Sequence, residues 1–525
     1  FVVARDRFFF LDLARRYGTG RLAALLGDAA LRTDQQNLGV GMGFVTDNIL
    51  RLLSPEQREV FQGFADGINA YIAQAQDGAL LSPSEYTLAA PLLGRRRASD
   101  LLENFTVRDV AAMNTTFLYQ SGFETDDVNR DRAARNLPGD FTGQALSALR
   151  AAGVLPELWN PLRQPAASRS ANGWGLETAS GASAIRRPAA PPRDLRPETH
   201  PGAASMTVPR PALDRLASNL GEIQARLMRD PDVGYGSNAW AVQGSRTRDG
   251  RALLAADGHL PLTIPALFYQ IGLDTQTLGG GDIHQMGIAL TFLPATAMGT
   301  NGRVAWGFTQ LGGDITDWYR EELVLDATGR PTATRFRGET RPLTVTEETI
   351  TVANVPALMS VGRTERWSRY VTFDGRWINQ IEGRRVMPGD PVVPGEVRVQ
   401  LLGDVVVPGD TDGDGVITAV SFDYVGLDGG NAFRAYDGYG KARNVREFRE
   451  ASRSMLATSL NQVAADADGS IYYAGWQAVP CREYLPREAD RSWRTGANPR
   501  RLLDGTVYGG FHIPLRDGVI DEAMG

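Results

Sequence analysis

Cysteine is almost missing from this 525-residue chain: Cys481 stands alone, which excludes a disulfide framework and a thiolate metal cluster. Lysine is as scarce, with Lys441 the only one among 55 basic residues. The arginines are scattered among acids and the net charge is −6, so there is no basic stripe and nucleic acid is not an expected partner. No apolar run approaches the roughly eighteen residues that a membrane span requires. Histidine is limited to His200, His259, His284 and His512, and no serine sits in a G-x-S-x-G elbow, so the sequence gives no support to an α/β-hydrolase triad. The opening run "FVVARDRFFFLDLARR" is too charged for a signal peptide. With Phe1 first and no cap or tail after "LRDGVIDEAMG", the expectation is a piece of a longer chain.

What is present is ordinary for a globular protein, with 42% hydrophobic and 22% charged residues, enough for two to four domains or one large one. The first part reads as helical. "RDRFFFLDLARRYGTGRLAALLGDAA" has helical apolar spacing, Ser54 and Pro55 start a second helix, and a third is expected from Val107 to Tyr119. From Ser180 to Ala212 the texture is Pro/Ala-rich and aperiodic, as in a linker. Leu213, Leu216, Leu220, Ile223 and Leu227 then share one helical face, and Pro231 ends that helix. Beyond Ser237 strand patterns dominate, interrupted by a helix at "NVREFREASRSML". Helices, spacer, then sheets predict an α+β or layered α/β protein.

The stretch "DVGYGSNAWAVQGS" places Gly236 and Ser237 where irregular chain meets a strand. A serine hydroxyl is a weak nucleophile until a base removes its proton. If the Gly236–Ser237 bond were cut, the freed α-amine, with a pKa of about 7.7–8.0, would supply that base. A glycine before the serine leaves its carbonyl open to attack. The same dipeptide also suits a plain loop-to-strand junction. A turn centred near Arg248 and Asp249 predicts a hairpin in which Ser237 faces His259; a structural histidine fits that position too.

"SNAWAVQGSRTRDGRALLAADGHL" resembles the start of the β-chain in the penicillin acylase family of N-terminal nucleophile hydrolases. "VARDRFFFLDLARRYGTGRLAALLG" is similar to that family's early α-chain motif, and "NQVAADADGSIYYAGWQAVPCR" to its oxyanion segment. The resemblance implies a four-layer αββα fold, autocleavage between Gly236 and Ser237, and an α/β heterodimer made from one precursor. The divisions would be an α-chain over 1–179, a spacer over 180–236 and a β-chain from 237 to 525. It assigns Ser237 as nucleophile and base, His259 beside it, and the Asn461 side chain with the Gln310 backbone N–H as oxyanion donors. Arg482 would stand near the amine. A histidine at 259 resembles the cephalosporin and acyl-homoserine-lactone acylase branches. Leu118, Leu260 and Phe308 would line an apolar acyl pocket. "GGDITDWYREE" and "SGFETDD" resemble the family's calcium segments, which implies a structural Ca²⁺ on Glu124, Asp314, the Thr316 carbonyl and Asp317.

The "DTDGDGVI" loop, with Asp410, Asp412 and Asp414, reads either as a second calcium loop or as a turn, since Ser421 replaces the usual glutamate. The resemblance further implies a small-molecule amide substrate, no organic cofactor and a periplasmic or secreted location. The competing expectation is a secreted, calcium-stabilised binding or scaffold protein without turnover.

Overall fold

The computed structural model describes residues 1–135, 207–227, 236–260, 266–387, 389–476, 478–489, 493–516 and 518–521. The linker from Ser180 to Met206 and the helix stop expected at Pro231 lie outside these residues.

Helices dominate the described chain before Gly236. The first, Val2–Thr19, ends at Gly20, whose left-handed φ of 62° closes the last turn. Helix Pro55–Gln76 begins as the sequence indicates: the Ser54 hydroxyl accepts from the Gln57 N–H and Pro55 occupies the first turn. The third expected helix runs a turn longer, Val107–Gly122. At Gly122 a Cβ would lie 2.2 Å from the Ala457 carbonyl oxygen, so glycine lets the helix end abut the segment before strand Leu460–Asp466. The predicted helix ahead of Ser237 spans Arg210–Arg226, and its leucine face, with Ile223, is buried. It is tied down by polar contacts as well. Arg32 Nε donates to Glu222 at 2.9 Å and Asn219 Nδ2 to Asp404 at 2.7 Å.

Beyond Gly236 the chain forms two large sheets. One has six antiparallel strands in the order Ile471–Trp476, Leu460–Asp466, Val304–Gln310, Thr296–Thr300, His284–Leu290, Phe268–Asp274. The other has eight strands, with Thr316–Leu325 and Ile417–Tyr424 near its centre. On one face of the six-stranded sheet lie the helices Ala432–Lys441 and Val445–Ser452. There Phe308 meets Tyr436 and Tyr439 at centroid distances of 5.9 and 5.7 Å. Against the opposite face packs the hairpin of Gly236–Val242 and Leu253–His259. Its Ala256 sits over Gly307, where a Cβ would come within 2.1 Å of the alanine methyl. The protein is thus α+β, and no helix among the described residues is long and apolar enough to cross a membrane.

Candidate active site

The hairpin carries Ser237, and its register corrects one sequence expectation. Gly236 pairs with His259 and Ser237 with Gly258, so the histidine is one position away from facing the serine. The reason lies in the connection. It is no tight turn on 248–249: a short 3-10 segment, Gly244–Arg246, follows the first strand, and the Gly244 N–H donates to Gly469 at 2.9 Å. The ladder closes with Val242 opposite Leu253, so the connection runs from 243 to 252 and centres between Thr247 and Arg248, one residue from the expected pairing. His259 Nε2 lies 2.9 Å from Asp257 Oδ2, a contact along its own strand.

Ser237, Gly258 and His259 open on a cavity of about 580 Å³. Leu260, Phe308 and Gln310 line it too, so five of the expected residues share one space. Leu118 does not. It is buried, and its carbonyl accepts from the Tyr424 hydroxyl at 3.2 Å, while Phe117, Gln120 and Ser121 form the wall on that helix. Reading a helix face from spacing alone leaves such one-residue ambiguities, because neighbours are only 100° apart. Phe117, Ala297 and Met298 are cavity residues that the sequence did not single out.

Asn461 does not itself line the cavity; it is paired across the ladder with Thr309, which does. Its Nδ2 donates to Thr309 Oγ1 at 3.0 Å and to the Gln310 carbonyl at 3.1 Å. The Tyr473 hydroxyl donates to Oδ1 at 2.9 Å. The contact with the Gln310 carbonyl fixes the orientation of the amide, since a carbonyl can only accept and so must face Nδ2. The donor end therefore points to the end of the Val304–Gln310 strand. Gln310 Nε2 reaches across to the Ser121 carbonyl at 3.1 Å.

A few residues further along both walls is a knot of acids. One carboxylate oxygen from each of Glu124, Asp127 and Asp314 lies within 4.8 Å of the others. Glu124 Oε1 and Asp127 Oδ2 are buried and have no hydrogen-bond partner. Burial, then the nearby Asp314 charge, pushes the Glu124 carboxyl up to about 8. Burial, then Glu124, pushes Asp127 up to about 10. Burial raises Asp314 as well. It also raises Asp317 to about 6, with the Arg482 guanidinium pulling the other way.

Arg482 directs its guanidinium to Asp317 at 2.6 Å and Asp314 at 2.7 Å and does not line the cavity. Among the described residues Asp127 groups with Glu124 and Asp314, Arg482 pairs with both Asp314 and Asp317, and the Thr316 hydroxyl accepts from the Glu124 N–H at 3.5 Å. Unpartnered carboxylate oxygens converging in a buried place suit a hard cation such as Ca²⁺. Asp127 lies three residues after Glu124 at the start of helix Asp126–Arg135, a spacing that carries no metal signature of its own.

The "DTDGDGVI" loop differs. Asp410 and Asp412 meet Glu382 rather than Asp414 in a group. Asp410 accepts from the N–H groups of Gly413 and Gly415, which hold its pKa down. Glu382 accepts from Thr411 and Thr418. The loop is closed by its own backbone N–H groups, while Glu382, Asp410 and Asp412 remain close enough together to hold a cation.

The profile of one family, described as Penicillin amidase, matches residues 1–509. The chain belongs to the penicillin amidase family. It is 26% identical over 494 residues to "Penicillin acylase 2 proenzyme" of Pseudomonas sp. (strain SE83), covering 93% of this chain and 50% of that protein. Similarity to penicillin G acylase of Escherichia coli is 26% over 400 residues, covering 71% and 42%. Similarity to the acyl-homoserine lactone acylase QuiP of Pseudomonas aeruginosa is 25% over 343 residues, covering 62% and 31%. The chain therefore spans half or less of the length of these family members.

Proposed function

We propose that the chain is the catalytic part of a self-processing amidohydrolase that transfers an apolar acyl group from an amide to Ser237 and then to water. The observation that carries this reading is the meeting of Ser237, an apolar cavity and the Asn461 amide at one sheet end, in a chain of the penicillin amidase family. In processing, Ser237 Oγ attacks the Gly236 carbonyl, the acyl group passes from nitrogen to oxygen, and water cleaves the ester. This frees the α-amine. In turnover the amine accepts the hydroxyl proton as Oγ attacks the substrate carbonyl. The resulting oxyanion takes hydrogen bonds from the Gln310 N–H and from Asn461 Nδ2, which exchanges its bond to Thr309 Oγ1 for this one. One such donor is worth about 2.7–4 kcal/mol in the transition state. The proton then passes to the departing amine, and water hydrolyses the ester by the same route.

His259, oriented by Asp257, would flank the amine. The hairpin, six-stranded sheet, eight-stranded sheet and helices are read as parts of the αββα layering. The divisions at 179 and 236, the heterodimer and a periplasmic or secreted location belong to the same proposal. Glu124, Asp127 and Asp314 would hold a structural Ca²⁺, which when bound supplies positive charge that keeps buried carboxylates ionised. A scaffold without turnover has no need of a cavity opening beside Ser237, which weighs against that alternative. The test is amino-terminal sequencing and intact mass of the purified protein together with a panel of chromogenic amides. A new terminus at Ser237 with amide cleavage is expected; cleavage by a protein whose Gly236–Ser237 bond is intact would overturn the proposal.

A further inference from the structure

A second hollow, of about 380 Å³, shares no lining residue with the cavity at Ser237. It lies where the end of helix Val2–Thr19, helix Met42–Leu52 and the start of helix Val107–Gly122 meet the strands Thr344–Val352 and Arg363–Val371. A space of that size falls within the range of small-molecule sites. Three arginines line it, Arg21, Arg108 and Arg369, against two acids, Asp47 and Glu348, which leaves one positive charge in excess.

The arginines are held in place without being saturated. Arg108 Nε donates to Asp47 at 2.9 Å and Arg369 Nη1 to Glu348 at 2.7 Å, whereas a guanidinium has five N–H donors. Arg369 Nε is buried and has no hydrogen-bond partner. Its guanidinium stands 4.6 Å from the ring centre of Trp377 and 5.6 Å from that of Phe44, contacts that favour one setting of its plane. Burial raises the Glu348 carboxyl and Arg369 lowers it; weaker and opposite influences of Asp47 and Arg108 on the same carboxyl make the two ion pairs neighbours. Arg21 adds the third positive group. It donates to Asp109 at 2.8 Å, a residue outside the wall of the hollow. Burial lowers the Arg21 pKa, Asp109 raises it, and Arg15 and Arg16 lower it again.

A cation entering this hollow meets an excess of like charge, and an anion relieves it. Guanidinium forks match the two oxygens of a carboxylate, and the exposed Phe44 offers a ring beside them. We propose that the hollow binds a small aromatic monocarboxylate, with its carboxylate between Arg108 and Arg369 and its ring against Phe44. One negative charge on the ligand balances the one in excess on the wall. The site is independent of the acylase reading of Ser237. Its walls come from both sides of Gly236, so an occupant ties the helical part of the chain to the sheets that follow.

The test is calorimetry of benzoate against the purified chain and three variants that leave the Ser237 cavity untouched. Arg369→Gln and Arg108→Gln each cancel the excess charge and are expected to weaken binding by about ten-fold or more. Glu348→Gln adds to the excess and is expected to tighten binding by about three-fold, a gain that mere loss of packing does not produce. The Arg108 side chain is 42% exposed, so Arg108→Gln keeps the test open if Arg369→Gln, at a more buried position, does not fold. Benzoate that does not bind, or that binds the parent, Arg108→Gln and Glu348→Gln equally because it sits elsewhere, overturns the inference. Inorganic phosphate that binds more tightly than benzoate and is lost with the same arginines overturns the ligand class.

Discussion

Residues 120–127 give Gln120 and Ser121 to the cavity and Glu124 and Asp127 to the acid knot, and residues 308–317 do the same with Phe308, Gln310, Asp314 and Asp317. The two places share walls, yet they are built on opposite terms. Around Ser237 the walls are mostly apolar and the polar groups sit at the rim, with Asn461 and Gln310 bonded to neighbouring backbone. At the knot, carboxylates are buried against each other with oxygens unpartnered. The first arrangement is stable as it stands and waits for substrate. The second is unfavourable until a proton or a cation neutralises it. The comparison suggests a division of labour in which charge at the knot fastens the two segments whose preceding residues shape the cavity.

The sharpest way to break this division is to alter one place and watch the other. Ser237→Ala is expected to abolish both processing and amide cleavage, a loss on the order of 10⁴-fold or more, while leaving the response of stability to calcium intact. Intact mass, an anilide assay and calcium-dependent melting check it; retained activity would remove Ser237 from the mechanism. Asn461→Ala comes next. It is expected to lower kcat by about 10²–10³ with little change in KM, because the donor acts on charge that exists only in the transition state. A loss confined to KM would mean that Asn461 binds substrate instead.

Much of this was legible in the sequence, and the failures have a common physical form. The Ser54 cap, the Leu213 to Leu227 face and the strand-rich chain beyond Ser237 follow from local rules and stand as expected. The errors at the site are errors of one position or of partnership. His259 slipped because the connection between the strands is a longer loop over 243–252, held to Gly469 through Gly244, and not a tight turn at 248–249. Phe117 replaced Leu118 because helix spacing does not tell which of two neighbours meets a cavity. Asp127 and Arg482 entered the acid knot through tertiary contacts that no spacing encodes. Helix Ala432–Lys441, which backs Phe308, was not foreseen, since its sequence "AFRAYDGYGK" carries two glycine or glycine-adjacent breaks in so short a run.

A smaller effect, on stability rather than rate, probes the knot. Unfolded carboxylates titrate near about 3.9–4.3, whereas Asp317, Glu124 and Asp127 are pushed up to about 6, 8 and 10. Between those limits the cation-free folded state holds protons that the unfolded chain has released. Stability of the chelated protein should therefore fall as pH rises from about 4 towards 8–10. Calcium competes with those protons, so it should flatten the slope and stabilise most at the high end, by about 2.7 kcal/mol when free cation is a hundredfold above Kd. Urea unfolding at pH 5, 7 and 9, with calcium or chelator, measures this, and Asp127→Asn should reduce both the slope and the calcium response. A slope of the opposite sign would show that the acids are not neutralised by protonation.

The smallest expected effect is the most discriminating control. Asp410→Asn alters an acidic loop that looks more like a calcium site in sequence than the knot does, yet its carboxylates are already satisfied by Gly413 and Gly415 or stand next to the bonded Glu382. The variant should melt with the same calcium response as the parent. If it loses that response while Asp127→Asn keeps it, unpartnered buried oxygens are the wrong criterion and the acidic pattern "DTDGDG" the right one. The physical ground for expecting the reverse is that a cation gains most where carboxylates lack other donors, and backbone N–H groups already occupy the loop.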